Sequence, residues 1–273
     1  MVRLLRLLRA PVLLLSAGGI FACAADQVWE IKWNEEPTVI RIVGVVVSEG
    51  SEASWLNACR RLTAAAIQSD ADANWLMHRI DDANYYLVTF GSRAEFRDPK
   101  SLVHGFARHD IGDFKEEFAQ LRAVQYTVSS DELWEQVPGW STTSEMNSLT
   151  HPGVDQRSYR VDSRHLTAVD SVLTDMANLL NREHYPFPTE GFRAAGRPEV
   201  VVHVLTFFGA RAEYYAKGQP EAFLAARGKR QEWLGLVARL NAITHDQTRT
   251  ESRYVHELSY DPWLLEQSAT GGG

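Results

Sequence analysis

Two histidines in apolar surroundings are the side chains of this sequence best suited to chemistry at neutral pH. His203 lies inside the apolar run Val200 to Phe208, and His256 lies in the short segment Tyr254 to Leu258. A buried imidazole needs a hydrogen-bond partner, and it can act as an acid, a base or an axial ligand. We therefore take His203 and His256 as the candidate catalytic pair. The alternative is that each is a core histidine bonded to a neighbour.

Five aromatic side chains form the candidate ligand-binding set. Tyr85 and Tyr86 are adjacent in a strand-like run, so they point to opposite faces, and one of them should line a cavity. Tryptophans on predicted elements serve in cores as well as in ligand sites, so both readings stay open for the two in this set. The ligand-binding candidates are Trp55, Trp75, Tyr85, Tyr86 and Phe207.

Several common site motifs are absent from the sequence. There is no His-Glu-x-x-His, no Gly-rich phosphate loop and no Gly-x-Ser-x-Gly, and only Cys59 follows the N-terminal Cys23. The sequence therefore predicts no metal site and no cofactor. The formal net charge of −7 opposes binding to nucleic acid or to an anionic membrane surface. The partner we expect is a small apolar or aromatic molecule.

A six-residue motif that occurs twice shows how the elements are arranged. Gly91-Ser92-Arg93-Ala94-Glu95-Phe96 returns as Gly209-Ala210-Arg211-Ala212-Glu213-Tyr214. Each copy follows an apolar, strand-like run and precedes a helix-like segment. Ser92 and Glu95 fit a helix capping box, so a strand-to-helix corner explains the motif, and a catalytic Arg or Glu is the alternative. A repeat this long indicates a duplicated small domain.

The order of predicted elements is the same in both copies. The first copy contains a strand at 39–47, a helix with an apolar stripe around Trp55 to Ala66, a hairpin ending at Phe90, a helix through Phe118 and a strand at 133–137. In the second copy the strands fall at 157–161, within 186–194, at 200–208 and at 253–259, and the helices at 169–180 and 233–244. Strand-helix-strand-strand-helix-strand is the ferredoxin-like order.

These elements predict an α+β fold of two tandem ferredoxin-like βαββαβ units. Val45, Val46 and Val47 run consecutively, so the first strand is apolar on both faces, and the second face of its sheet must also be buried. Packing the two units sheet to sheet achieves this within one chain, which is expected to be a monomer with an internal pseudo-dimer. The predicted boundaries are unit 1 at 27–140, a linker at 141–156, unit 2 at 157–263 and a tail at 264–273.

Residues 1–25 have the pattern of a secretory signal peptide. Arginines precede the apolar run Pro11 to Ala22, and Ala22-Cys23-Ala24 fits a cleavage site. Ile20 to Cys23 also resembles a bacterial lipobox, in which Cys23 would be lipidated, and a single N-terminal membrane anchor is a third reading. The sequence predicts export to the bacterial periplasm or cell envelope.

The chain resembles the dimeric α/β-barrel superfamily, in particular antibiotic-biosynthesis-monooxygenase-like domains. The resemblance covers residues 38 to 260 as two tandem copies and rests on Trp75, the hairpin, Tyr85 to Phe90 and the motif that starts at Gly91. It implies a fused version of a fold that usually forms from two chains. Members include cofactor-free oxygenases of polyketide-type aromatics, haem-degrading enzymes and proteins without known activity. The haem-degrading branch has a ligand set that this sequence does not match, so no catalytic residue is transferred.

Three functions follow as expectations. The first is an exported protein that binds a small, mostly apolar ligand in a cleft between helices and sheet. The second is a cofactor-independent monooxygenase or a haem-active enzyme that uses His203 and His256. The third is a structural or interaction protein of the cell envelope.

Overall fold

The computed structural model describes residues 39–71, 73–91, 96, 114–143, 149–195 and 199–262, all of which belong to one compact unit, Asn34–Gly273. The predicted signal peptide, Cys23, residues 92–95 of the first motif and the predicted tail lie outside the described residues.

Eight strands and five helices of six residues or more make up the described part of the chain. The strands are β1 (Val39–Val47), β2 (Leu76–Arg79), β3 (Asn84–Gly91), β4 (Tyr126–Gln136), β5 (Gly153–Asp162), β6 (Thr189–Ala195), β7 (Glu199–Phe208) and β8 (Thr244–Tyr254). The helices are α1 (Glu52–Ser69), α2 (Lys115–Ala123), α3 (Leu166–Arg182), α4 (Pro220–Ala225) and α5 (Arg230–Ile243). Between β7 and α4 a helical turn, Arg211–Glu213, continues into a π-helix, Tyr214–Gly218.

The strands form one closed antiparallel barrel in the order β1-β3-β2-β8-β5-β7-β6-β4. The first half, β1 to β4, has the internal order β4-β1-β3-β2, and the second half, β5 to β8, has the order β8-β5-β7-β6. Two seams join the halves: β2 pairs with β8, with His78 opposite Tyr254, and β4 pairs with β6, with Trp134 opposite Ala194. The α+β class is confirmed, and the halves meet edge to edge by strand pairing as well as through their inner faces.

The two faces of each strand bury different cores. In β1, Val43, Val45 and Val47 pack outward with Trp55 of α1, whereas Ile40 and Ile42 point into the barrel. Both faces of β1 are therefore apolar because both are buried within the chain, as predicted. Inside the barrel, side chains from both halves share one cluster: Ile40, Ile42, Trp134, Val154, Phe192, Ala194, Leu205 and Phe207.

Helices cover the outer face of each half. Trp55 and Leu62 of α1 and Phe118 of α2 pack on the first half, and Val172 of α3 and Leu240 of α5 pack on the second. A third cluster joins Leu180 of α3, Leu224 of α4 and Trp233 of α5 above the second half. Cys59 is a buried core residue of α1, and burial raises the pKa of its thiol.

Two predicted boundaries in the second half are wrong. The predicted linker 141–156 overlaps β5, which begins at Gly153. The predicted closing strand 253–259 is largely the turn His256–Leu258, and the closing strand is instead β8. The sequence of β8, Thr-His-Asp-Gln-Thr-Arg-Thr-Glu-Ser-Arg-Tyr, has no apolar alternation. Its strand form depends on pairing with β5 along its length and with β2 at its end.

Among the described residues, no helix has the length and hydropathy needed to cross a bilayer.

Candidate functional site

A small cavity of about 40 Å³ lies between the sheet and the helices of the second half. We call it the second-half cavity. Its floor is the outer face of β5, β6 and β7, and α3, α5 and the π-helix form its walls. Its apolar lining includes Trp140, Leu173, Ala177, Leu180 and Trp233. The cavity therefore lies between helices and sheet, where the sequence placed a ligand site.

The polar part of the lining comes from β5 and the π-helix. Arg157 and Tyr159 alternate with Asp155 on the outer face of β5, and Tyr214 is the first residue of the π-helix. The Tyr214 hydroxyl donates to Asp155 Oδ2 at 2.7 Å, and the ring stacks on Phe208 with centroids 4.6 Å apart. This contact fixes the π-helix against the barrel.

Asp155 is a fully engaged carboxylate. Its side chain is 1% exposed, and Arg249 of β8 donates to Oδ1 at 2.6 Å and to Oδ2 at 2.9 Å. The bond from Tyr214 adds a third donor. Because its two oxygens already accept from three donors, Asp155 serves as an anchor and has little capacity to act as a base.

Tyrosines around this carboxylate stay protonated. Burial raises the pKa of Tyr214 above its ordinary range, and the Asp155 charge adds to the effect. Burial also raises the pKa of Tyr215 to about 12, with the hydrogen bond to Glu251 contributing. Tyr214 can therefore donate a hydrogen bond, and its proton is already used by Asp155.

The structure places His203 inside the barrel and away from the second-half cavity. Its ring stacks on Trp134 with centroids 3.6 Å apart, and Nδ1 is 2.9 Å from Ser158 Oγ. Nε2 is buried without a hydrogen-bond partner in the described structure, and Glu132 Oε2 is 4.0 Å away. Burial lowers the pKa of His203 to about 3, so the ring is neutral at pH 7.

His256 does not lie near His203, so the expected pair is not brought together. Although β8 and β7 both flank β5, Ser158 opposite His203 pairs with Thr248, and β8 continues six residues to Tyr254 before His256. That distance is about 20 Å at the usual strand rise. His256 is exposed in a turn, 3.4 Å from the Tyr254 hydroxyl.

His256 and Tyr85 line an open groove near the β2–β8 seam instead. The groove has a volume of about 710 Å³. Several of its charged groups are already paired with one another: Arg79 with Asp82, and Arg60 with Glu257 at 3.6 Å. The groove has the volume of a small-molecule site, but it is open to solvent and its paired charges are not free to bind a ligand.

The remaining ligand candidates are dispersed among two cores. Trp55 and Trp75 are buried on the outer face of the first half, where Trp75 Nε1 donates to the Leu258 carbonyl at 2.9 Å. Tyr86 and Phe207 face the barrel interior. Tyr85 and Tyr86 thus lie on opposite faces. The ring centroids of Tyr85 and Trp55 are 5.9 Å apart.

The residues that shape the second-half cavity were missed at the sequence level. Asp155 falls in the predicted linker, and Arg157 begins the predicted strand 157–161. The available signal was the alternation of Asp155, Arg157 and Tyr159, which places three polar groups on one face of a strand. Tyr214 belongs to the repeated motif, in which Arg211 pairs with Glu251 at 2.6 Å.

A haem group, which the resemblance implies for one branch, does not fit this cavity. Ligands of drug size occupy pockets of about 300 Å³ or more, and haem is at least that large, whereas the cavity is about 40 Å³. No histidine is present among its described lining residues. In the part of the chain that the structure describes, no group of three or more His, Cys, Asp or Glu side chains could hold a metal ion.

Comparison with known proteins identifies the fold. No family model and no curated protein matches the chain. A candidate monooxygenase from Fusobacterium nucleatum matches at a TM-score of 0.50 and 6% identity, over 81% of this chain and 93% of that one. An anthrone oxidase-like protein matches at a TM-score of 0.50 and 12% identity, over 82% and 93%. A chlorite dismutase variant from Candidatus Nitrospira defluvii matches at a TM-score of 0.47 and 9% identity, over 86% of this chain and 97% of that one.

The chain therefore has the dimeric α/β-barrel fold, as the resemblance implied.

Proposed function

We propose that the protein binds a small, mostly apolar molecule in the second-half cavity. The observation that carries this proposal is an apolar cavity between sheet and helices with a polar group cluster at one side. Apolar walls with a few placed polar groups are typical of small-molecule sites. Trp140, Leu173 and Trp233 would contact the apolar part of the ligand, and Arg157 its polar part.

The size of the cavity requires a wall to move when the ligand enters. A cavity of about 150 Å³ holds a benzene ring, which is several times the volume present here. The most irregular wall is the π-helix Tyr214–Gly218, and π-helical turns occur often at functional sites. Its residues contact the cavity through Tyr214, so an outward shift of this segment would enlarge the site at the cost of the bond from Tyr214 to Asp155.

A cavity-filling variant tests the proposal. Ala177→Leu adds three carbons to a buried, cavity-lining position of α3, whereas Ala168→Leu makes the same change on the exposed face of α3. Aromatic ligands that raise the melting temperature of the wild type and of the Ala168→Leu protein should fail to do so with Ala177→Leu. Equal ligand-induced shifts in all three proteins would place binding elsewhere and overturn the proposal.

Oxygenation of an aromatic molecule without a cofactor is a second candidate function. The names of two fold neighbours, a candidate monooxygenase and an anthrone oxidase-like protein, motivate it, and a cavity of about 40 Å³ has room for dioxygen. It ranks second because Asp155, the carboxylate nearest the described lining, is fully bonded. Oxygen uptake with an anthrone that is lost in Ala177→Leu would support this function. Uptake no faster than in buffer without protein would rule it out.

We further propose that the chain is exported to the periplasm or envelope of a bacterium, anchored through Cys23 if that residue is lipidated. The basic, apolar and small-residue pattern of residues 1–25 supports this. Intact mass of the protein from cells should show an N terminus near residue 26, or a diacylated Cys23. A chain that keeps Met1 would contradict both forms.

We also infer that the two halves descend from one duplicated unit. Their matching internal strand orders and the motif shared by Gly91 and Gly209 support this. If the halves are equivalent, residues 149–262 expressed alone should dimerise, because edges β6 and β8 of two copies can form both seams. A well-folded monomer in analytical ultracentrifugation would argue against equivalence.

A further inference from the structure

Among the described residues beside the second-half cavity, three arginines contact two carboxylates, and one of these arginines lines the cavity. Arg249 and the Tyr214 hydroxyl take up the carboxylate of Asp155. Glu251 is bonded to Arg211 at 2.6 Å and to the Tyr215 hydroxyl at 2.6 Å. The two carboxylates are thus matched by Arg249 and Arg211.

Arg157 is the third arginine of this group, and it is the more loosely held of the two that contact Asp155. Its Nη2 forms an ion pair with Asp155 Oδ2 at 3.7 Å, a distance too long for a hydrogen bond, and its side chain also bonds the Tyr159 side chain. Its side chain is 29% exposed, which makes it the most accessible of the polar lining residues. It therefore lies partly in water and partly against the cavity.

The strand register places Arg157 beside a second arginine. Arg157 of β5 is directly opposite Arg249 of β8. Like charges in directly opposed positions of a sheet are destabilising. An anion bound at Arg157 would relieve this repulsion, and the planar guanidinium can bind a carboxylate through two parallel hydrogen bonds.

We infer that the ligand of the second-half cavity is an aromatic carboxylate, and that Arg157 is the specificity-determining residue that binds its carboxylate group. This inference rests on the proposed function, because it assigns the chemistry of a ligand for the same cavity. The aromatic ring enters between Trp140, Leu173 and Trp233, and the carboxylate stays at the more accessible end of the lining.

Matched probes separate this inference from the proposed function. Benzoate and benzamide have almost the same shape and differ in charge, so calorimetric titration of both measures the contribution of the anion. We expect the wild type to bind benzoate at least tenfold more tightly than benzamide. Arg157→Gln should remove that difference, and Arg157→Lys should keep part of it because the charge remains while the planar fork is lost.

A control variant comes from the same strand. Arg160 is also on β5, but its contacts to Asp246 and Glu199 are long, at 3.5 and 3.9 Å, and it is not among the described lining residues of the cavity. Arg160→Gln should keep the preference for benzoate. Increasing salt should weaken benzoate binding more than benzamide binding.

The outcomes are distinguishable. If the wild type binds benzoate and benzamide with equal affinity and Ala177→Leu binds neither, the carboxylate assignment is overturned and the proposed function stands. A benzoate preference that survives in Arg157→Gln would overturn the role of Arg157. Failure of both probes to bind the wild type, together with no shift by any aromatic molecule, would overturn the proposed function itself.

Discussion

At the scale of single residues, the environment of each side chain determines its chemistry more than its type does. His203 and His256 were equivalent in the sequence, yet one is a neutral ring stacked on Trp134 inside the barrel and the other is exposed in a turn. No local pattern distinguishes them, because the burial of His203 comes from barrel closure. The catalytic assignment of both histidines stays a prediction, and the structure offers no support for their acting together.

Two buried histidines predict a loss of stability in acid. Burial lowers the pKa of His78 from 6.5 to about 4 and that of His203 from 6.5 to about 3. Between these pKa values and pH 6.5, the two histidines are therefore protonated in the unfolded chain but neutral in the folded protein. The stability contributed by these two neutral rings is full above pH 6.5 and falls as the pH drops toward 4, whereas burial raises the pKa of Glu190 to about 7 and so acts in the opposite direction. For His78 the loss is on the order of 3 kcal/mol.

Urea unfolding of three proteins at pH 7.5 and pH 5 measures this loss. His78→Gln should reduce the difference between the two pH values, since a glutamine does not titrate. His256→Gln changes an exposed histidine and should leave the difference as it is in the wild type. An unchanged pH dependence in His78→Gln would show that this ring is not the source.

At the scale of elements, apolar periodicity predicted the helices and the apolar strands but not the polar strands. The spacing of Trp55, Cys59 and Leu62 gave α1, and the run at 200–208 gave β7. The strand β8 was misplaced because its inward and outward faces are both polar. Its residues form hydrogen bonds to β5, which is about 90 residues away in the sequence, and local sequence patterns do not predict such long-range pairing.

The anchor between β5, β8 and the π-helix should depend on Asp155. Asp155→Asn keeps the shape of the side chain but removes the charge that binds Arg249 and Tyr214. Because these are charge-assisted bonds to a buried group, we expect a loss of about 2 kcal/mol in the free energy of unfolding. The loss should appear as a lower midpoint in urea.

The matched control is Asp162→Asn, at the other end of the same strand. Asp162 pairs with Arg164 on the surface, where solvent screens the charges, so little change is expected. Equal losses in the two variants would mean that the Asp155 cluster is no more important than a surface pair.

At the scale of the whole molecule, the barrel makes each half depend on the other. The inner cluster takes Ile40, Ile42 and Trp134 from the first half and Phe192 and Leu205 from the second. The two seams add strand pairing at both edges. The sequence could predict that the sheet of the first half has two apolar faces. It could not predict the seams, because pairing between edge strands depends on geometry far apart in the chain.

This arrangement predicts a single cooperative unfolding transition. Neither half can keep its inner face buried once the other has unfolded, so the two should melt together. Differential scanning calorimetry should give a van't Hoff enthalpy close to the calorimetric enthalpy. Two separable transitions, or a van't Hoff enthalpy near half of the calorimetric value, would show that the halves behave as independent domains.

The location of the ligand is the central claim, and methyl-resolved NMR tests it directly. With leucine and isoleucine methyl groups labelled and benzoate bound, the ring protons should show nuclear Overhauser effects to Leu173 and Leu180, which line the second-half cavity. Ile40 and Ile42, which lie inside the barrel, should show none. Effects confined to Ile40 and Ile42, or no effects at saturating benzoate, would contradict the account.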